Sequence, residues 1–292
     1  MKKNKIRLLI RKYLRIVVKA RENETISDAF VRKKKNLYIK FNQKTFSIDE
    51  LDCILEYMGL QEGDYIFLHC SLKSFFQFEN MNSEILINKI LSKIGESGVL
   101  MMPGSGDNQN FLDVLYTPSS FGKITEVFRS NYPIKRSLNS YFSVSYLNGK
   151  DSCYKDNHIK SRYPFDEKSP FNDLLVNDGK ILCLGIGKHP HKITFIHYVV
   201  YRLLKDNKNF EKIIGKELNT TLVLEDRSKI EKNIIVRADG LKNDKRNISK
   251  LAKNTHHKYL KKGKLDCYCC NAVDIFDTAK QMMNSNIKFY KI

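Results

Sequence analysis

No stretch of about eighteen apolar residues occurs in the 292-residue chain, so no transmembrane helix is expected and the protein reads as soluble or peripheral. No cleavable signal peptide precedes the seven cysteines, and their odd number and irregular spacing argue against a secreted disulfide framework. Reduced thiols and a cytoplasmic location are the expectation. Paired thiols with the usual spacer of roughly two to four residues are also missing. Cys267, Cys269 and Cys270 run as CxCC near His256 and His257, a spacing that does not let paired thiolates share one tetrahedral ion, so no metal is expected. The basic segments lack interleaved aromatics and match no recognition motif, which argues against a nucleic-acid partner despite a formal charge of +19.

That charge is unevenly placed. Residues 1–44 hold fifteen Lys/Arg against three acids, residues 45–204 sixteen against eighteen, and residues 205–264 seventeen against eight. A near-neutral body with basic flanks implies attraction to an anionic surface or ligand. The length allows one large domain, and the division that fits is a basic amphipathic extension over 1–44 followed by one domain over 45–292. Within residues 4–20, Ile6, Leu9, Ile10, Tyr13, Leu14, Val17 and Val18 recur at helical spacing among Arg7, Arg11, Lys12, Arg15 and Lys19. This helix either lies on an anionic membrane face or docks on the domain.

From residue 45 onward, helical and strand patterns alternate. Ser47 and Glu50 stand in capping-box register before the helical run Leu51, Ile54, Leu55, Met58. Tyr65 to His69 reads as a strand, Asn82 to Ile94 as a helix, and Val99 to Met102 as a strand ending at Pro103-Gly104-Ser105-Gly106. A short helix over Ile124 to Arg129 precedes a strand over Tyr141 to Leu147, closed by the turn dipeptide Asn148-Gly149. Ile181 to Ile186 is a buried strand, because an apolar run this short, bounded by Asp178-Gly179 and Gly187, cannot stand as a helix. It feeds a polar loop carrying His189, His191 and Thr194, then a helix from about Thr194 with His197 on its first turn. Such alternation predicts an α/β fold that presents strand carboxyl ends to a ligand. His197 is therefore either a group at that cleft or a core histidine between Ile196 and Tyr198.

Several motifs occur in an order that resembles the aminoglycoside 3-N-acetyltransferase family. They are Gly63-Asp64, HxSLKS over His69 to Ser74, GESGVLMMP over Gly95 to Pro103, TPSSFGKITEVFR, Arg136-Ser137, Ser169-Pro170, LCLGIG, TxxH over Thr194 to His197, and GKLDCYCCNAVDIFDTA over Gly263 to Ala279. The resemblance covers about residues 45 to 292. It implies a three-layer α/β/α sandwich and transfer of an acetyl group from acetyl-coenzyme A to an amine on a sugar ring, with a small-molecule amino sugar as acceptor and no metal. It also implies His197 as general base with Thr194 beside it, and His69, Ser71, Lys73, Pro103 and Ser143 at the coenzyme A site.

The departures from that pattern shape the remaining expectations. Val200 stands where the family's HxxE glutamate would be, and Asn139 and Ser140 replace the histidine and proline of RSxHP. The carboxylates suited to a polycationic drug are thus partly missing, whereas an anionic nucleotide-linked deoxysugar, as acetylated by similar enzymes of surface-polysaccharide synthesis, fits the basic flanks. With valine at 200, the second nitrogen of His197 needs another acceptor, for which Asp239 is the candidate. Backbone N–H groups after Met102 or Gly187 are candidates for an oxyanion site. A covalent route through Cys70 with His69 or His197 is less suited, since neighbouring strand side chains point to opposite faces and His69 cannot easily serve Cys70. A homodimer and peripheral contact with the inner membrane face complete the partner expectations. The competing function is a non-catalytic relative that keeps donor or sugar binding.

Overall fold

The computed structural model describes residues 2–22, 24–40, 44–147 and 154–291. Helices α1 (Lys2–Val17) and α2 (Ile26–Lys40) form an N-terminal hairpin. The body opens with α3 (Asp49–Tyr57), β1 (Tyr65–Cys70), α4 (Ser83–Ile94), β2 (Val99–Pro103), β3 (Phe111–Asp113), α5 (Lys123–Asn131), β4 (Lys135–Arg136) and β5 (Val144–Leu147). It continues through α6 (Tyr154–Ile159), α7 (Pro170–Val176), β6 (Lys180–Leu184) and α8 (Ile196–Leu204). The last third contains β7 (Ile214–Val223), β8 (Lys229–Arg237), β9 (Lys242–Asn243), α9 (Lys245–Asn254), β10 (Lys258–Lys262), β11 (Leu265–Asn271), α10 (Ala272–Asn284) and β12 (Tyr290–Lys291).

Seven strands form the central sheet in the order β10-β11-β6-β1-β2-β5-β4. The middle three, β6, β1 and β2, are parallel; their neighbours β11 and β5 run antiparallel to them, and the edge strands β10 and β4 run antiparallel to β11 and β5. Because strand side chains alternate, each central strand feeds two cores. Ile66 and Leu68 of β1, Leu100 and Met102 of β2, and Leu182 and Leu184 of β6 pack with α3, α4 and α5. Phe67, Val99, Met101, Ile181 and Cys183 pack on the other face with α7, α8, α9 and α10. This is the three-layer α/β/α sandwich. Fully burying one such apolar side chain contributes about 1.5–3 kcal/mol, so the two cores hold the layers together.

Local chemistry sets the ends of these elements. Asn82 caps α4 by accepting the Ile85 N–H at 2.9 Å, and the Ser47 N–H donates to the Glu50 carboxylate at 3.0 Å, one arm of the expected capping box. Strand β6 stops two residues earlier than the apolar run because Gly185 turns into a left-handed conformation, φ +75°. A Cβ there would lie 2.4 Å from the Ser74 Cβ, so only glycine lets this loop press on the 3₁₀ turn Leu72–Phe75. Strand β5 begins at Val144 rather than Tyr141, since the Asn139 side chain accepts the N–H groups of Tyr141 and Phe142 and curls the chain there. The Asn148-Gly149 turn and the side chains of Ile6 and Arg7 lie outside the described residues.

Two features went unforeseen in the sequence. Strands β3, β7 and β8 form a separate three-stranded sheet, and β9 pairs with β12 so that Asn243 lies opposite Tyr290. The thiols of β11 alternate faces, with Cys267 and Cys269 in one core and Cys270 in the other, so they do not converge. Helix α1 leaves much of its described apolar stripe exposed. Its Leu9, Tyr13 and Ile16 are 67–68% exposed, while Arg15 ties the hairpin turn by donating to the carbonyls of Arg21, Glu22 and Glu24.

Candidate active site

The parallel strands β1, β2 and β6 end at one edge of the sheet, and the segments that follow them enclose a cavity of about 730 Å³. Alternation along β1 places His69 on the same face as Phe67, toward α8, with its ring 5.1 Å from that of Phe67. The His69 Nε2 accepts the Thr194 backbone N–H at 3.2 Å, which leaves the ring's own proton on Nδ1. Burial lowers its pKa to about 4. A neutral His69 thereby pins the loop before α8 to the end of β1.

His197 is the second residue of α8 and is 8% exposed, with its ring on the cavity wall. Its Nδ1 lies 2.5 Å from the Tyr290 hydroxyl, and its ring packs 4.9 Å from Phe165 and stacks on Tyr290. Burial, and then the nearby Arg237 guanidinium, hold its pKa well below 6.5, so the imidazole is neutral. Burial likewise pushes the Tyr290 hydroxyl far above the usual tyrosine range, so it stays a phenol. A phenol can accept a proton bond from Nδ1–H, and that tautomer leaves Nε2 as the ring's acceptor. Arg237 lies 4.7 Å over the Tyr290 ring and donates to Asn243 Oδ1 at 3.1 Å, joining β8, β9 and β12 behind His197.

His69, Ser71, Lys73, Pro103, Thr194 and His197 all lie on the cavity wall, so the structure brings six of the eight anticipated site residues together. Two expectations are corrected. Asp239 is not the partner of His197; it lines a separate polar cavity of about 310 Å³ with Tyr141, Lys216 and Arg237, and Tyr290 takes the Nδ1 position. Ser143 is buried away from the cavity, its Oγ accepting from Arg136 Nε at 3.2 Å and its N–H donating to Ser105 Oγ at 2.6 Å. The Asn139 turn directs Phe142, not Ser143, to the wall.

Other anticipated groups are also placed. The Gly104 N–H donates to the Ser143 carbonyl at 2.8 Å and so is not free to stabilise an oxyanion. Burial pushes the Cys70 thiol up, which removes it as a thiolate nucleophile. His191 faces the cavity, whereas His189 turns against His257. Val200, one turn along α8, is buried in the core. Lys73 meets the N-terminal hairpin, its ammonium 2.5 Å from the Asp28 carboxylate and 3.4 Å from Ser27 Oγ.

Sequence reasoning missed Tyr290, Arg237 and Asn243, together with Lys123, Lys192 and Lys245, which stand on the cavity wall. Only Lys123 and Lys192 carried a signal, as neighbours of the glycine at the start of α5 and of His191. Among the described residues no group of three His, Cys, Asp or Glu side chains is arranged to hold a metal ion, and no helix is long and apolar enough to cross a membrane.

Comparison with known proteins follows the same line. The family model for aminoglycoside 3-N-acetyltransferases matches residues 67–284. Among curated sequences none matches. The fold is similar to AAC-IIIb in binary complex with CoASH, at TM-score 0.68 and 17% identity over 84% of this chain and 98% of that one. It is also similar to the YokD protein from Bacillus subtilis, at TM-score 0.66 and 18% identity over 83% and 96% of the two chains. Sisomicin-bound AAC-VIa gives TM-score 0.67 and 18% identity over 84% of this chain and all of that one, 100%.

Proposed function

The chain belongs to the aminoglycoside 3-N-acetyltransferase family of acyltransferases, and from that premise we propose that it transfers the acetyl group of acetyl-coenzyme A to the amine of an amino sugar, with His197 as general base. The observation that carries this reading is His197 itself, buried at the wall of a cavity formed at strand carboxyl ends, with Nδ1 held by Tyr290. The acceptor nitrogen must shed a proton to attack a thioester. In the proposed step the amine nitrogen bonds to the acetyl carbonyl carbon, its proton passes to His197 Nε2, the C–S bond breaks, and the departing thiolate takes that proton to leave as coenzyme A. Thr194 helps by fixing the loop ahead of the base.

The donor fits the residues at the other end of the cavity. Lys73, Lys123 and the first turn of α5 supply cations and N–H groups suited to the phosphates of coenzyme A, and His69, Ser71 and Pro103 lie alongside. AAC-IIIb is described with CoASH and AAC-VIa with sisomicin, which supports a coenzyme A donor and a sugar amine acceptor here. The acceptor is an amino sugar of either the aminoglycoside or the nucleotide-linked, glycan-building type. We assign residues 45–292 to catalysis and residues 1–44 to attachment. The exposed apolar stripe of α1 among basic side chains suits the headgroup region of an anionic membrane.

The test is His197→Ala, read as coenzyme A release with amino-sugar acceptors. Turnover should fall by about two to four orders of magnitude, the usual contribution of a positioned base, while acetyl-coenzyme A still binds. Turnover kept within a few-fold would return His197 to a core role.

A further inference from the structure

Taking the acetyl-transfer reading as given, we propose that the acceptor carries an anionic phosphate or diphosphate beside its amine, held by Lys192 and Lys245 with Arg237 behind them. The main cavity is lined by Lys73, Lys123, Lys192 and Lys245 together with three histidines, and no Asp or Glu stands among its described lining residues. A polyamine drug would bring several ammonium groups into a like-charged space, whereas a phosphorylated sugar would meet opposite charge. The cations divide between the two helix layers that flank the sheet. Lys73 and Lys123 belong to the turn after β1 and the start of α5, the donor end.

Lys192 and Lys245 stand on the opposite layer, on the loop before Thr194 and on the first residue of α9. Among the described residues neither forms an ion pair, and the acid next to Lys245 is already used. Asp244 accepts the N–H groups of Arg246 and Asn247 and pairs with Lys291 at 3.2 Å. The excess of positive charge reaches neighbouring groups: burial first, then Lys245 and Lys192, lower the pKa of His191. Arg237 adds a half-buried guanidinium that has hydrogen bonds to Leu241 and Asn243 but no carboxylate, and its Nε is buried without a partner. Asn243 lines the main cavity and Arg237 the adjoining polar one, so the guanidinium sits at the wall between them. Donor phosphates at Lys73 and Lys123 leave these three cations uncompensated, and an anion on the acceptor compensates them.

The experiment compares one amino sugar in matched forms: free, as its 1-phosphate, linked to a nucleoside diphosphate, and linked to a polyprenyl diphosphate, with sisomicin as the polycation. Coenzyme A release should show kcat/KM at least tenfold higher for a phosphorylated form than for the free sugar, and the faster of the two diphosphates names the source. In the Lys192→Ala/Lys245→Ala double variant that ratio should fall toward one. Equal use of free and phosphorylated sugar, or preference for sisomicin, would overturn the proposal. A second measurement needs no turnover. Titration calorimetry of the nucleoside-diphosphate-linked sugar into protein saturated with coenzyme A should show affinity at least tenfold weaker in the double variant, and equal affinity would overturn the proposal even if turnover were high. Binding lost in the double variant without turnover on any acceptor would uphold the anion site and count against the acetyl-transfer reading alone.

Discussion

Replacing Tyr290 by phenylalanine removes one oxygen and leaves the rest of the ring. The Y290F ring still stacks on His197 and lies under Arg237, so packing is kept and any fall in the thermal midpoint reflects the lost hydrogen bond alone. What is lost is the acceptor for the buried Nδ1–H. A hydrogen bond to a charged group contributes about 1.5–3 kcal/mol, the ring is charged only once it has taken the proton, and a factor of ten in rate corresponds to ~1.4 kcal/mol, so kcat should fall by roughly 10- to 150-fold. The ring can escape that penalty only by moving its proton to Nε2, the nitrogen the reaction needs unprotonated, so either outcome weakens the base. The donor KM should stay close to that of the parent, since Tyr290 is not at the donor end. Because burial and Arg237 hold His197 neutral far below pH 6.5, its own acid limb in kcat should lie well below that value. A limb near neutrality then belongs to the acceptor amine and should persist in Y290F. Steady-state kinetics from pH 5 to 9 would check this. A kcat within twofold of the parent, or a loss carried by the donor KM, would refute the role given to Tyr290.

Acid should destabilise the fold ahead of the carboxylates. His69 and His158 have pKa values lowered to about 4 and about 3 by burial, against 6.5 for a free side chain, and His197 is shifted the same way. Between those values and 6.5 the unfolded chain binds more protons than the folded one, so stability is lost as pH falls through this window, on the order of 2 kcal/mol per histidine by pH 5. Denaturant melts at pH 7 and pH 5 should show the difference, and equal stabilities would contradict it. At the donor end, Lys73→Ala should raise the KM for acetyl-coenzyme A more than that for the acceptor, while Asp28→Asn should lower it; a donor KM unmoved by both would remove Lys73 from the site. Deleting residues 1–40 should abolish binding to anionic vesicles and leave a folded, coenzyme A-binding body, as sedimentation with vesicles and a thermal melt would show.

The α/β order was legible because strand and helix patterns alternate cleanly from Ser47 to Leu204, and His197 stood out because a strand ending in a polar loop before a helix is where such folds expose side chains, whereas the three layers and the role of base came from the family resemblance. His69 and Lys73 were singled out by the HxSLKS resemblance and not by periodicity. Tyr290 was hidden for a different reason. It lies 93 positions from His197 and is delivered by a two-residue ladder with β9, which leaves no periodic trace. Asp239 was chosen for its charge, yet the partner that the buried imidazole found is a neutral phenol, which burial penalises less than a carboxylate. Strands β7 and β8 were missed because charged residues at exposed positions, such as Lys216, Glu217, Lys229 and Glu231, mask their alternation and read as a basic segment.

With Lys73 in the proposed donor role, its pairing with Asp28 would make the N-terminal hairpin and the donor competitors for one ammonium. Competition for a shared group is reciprocal: whatever draws Asp28 away strengthens the donor's hold, and a bound donor loosens the hairpin by the same factor. Seating α1 on a bilayer would therefore tune the catalytic body through a single ion pair if it shifts α2, and the quantity to watch is the donor affinity measured with and without vesicles. An enzyme arranged this way would sense where it is through the group proposed to grip its cosubstrate.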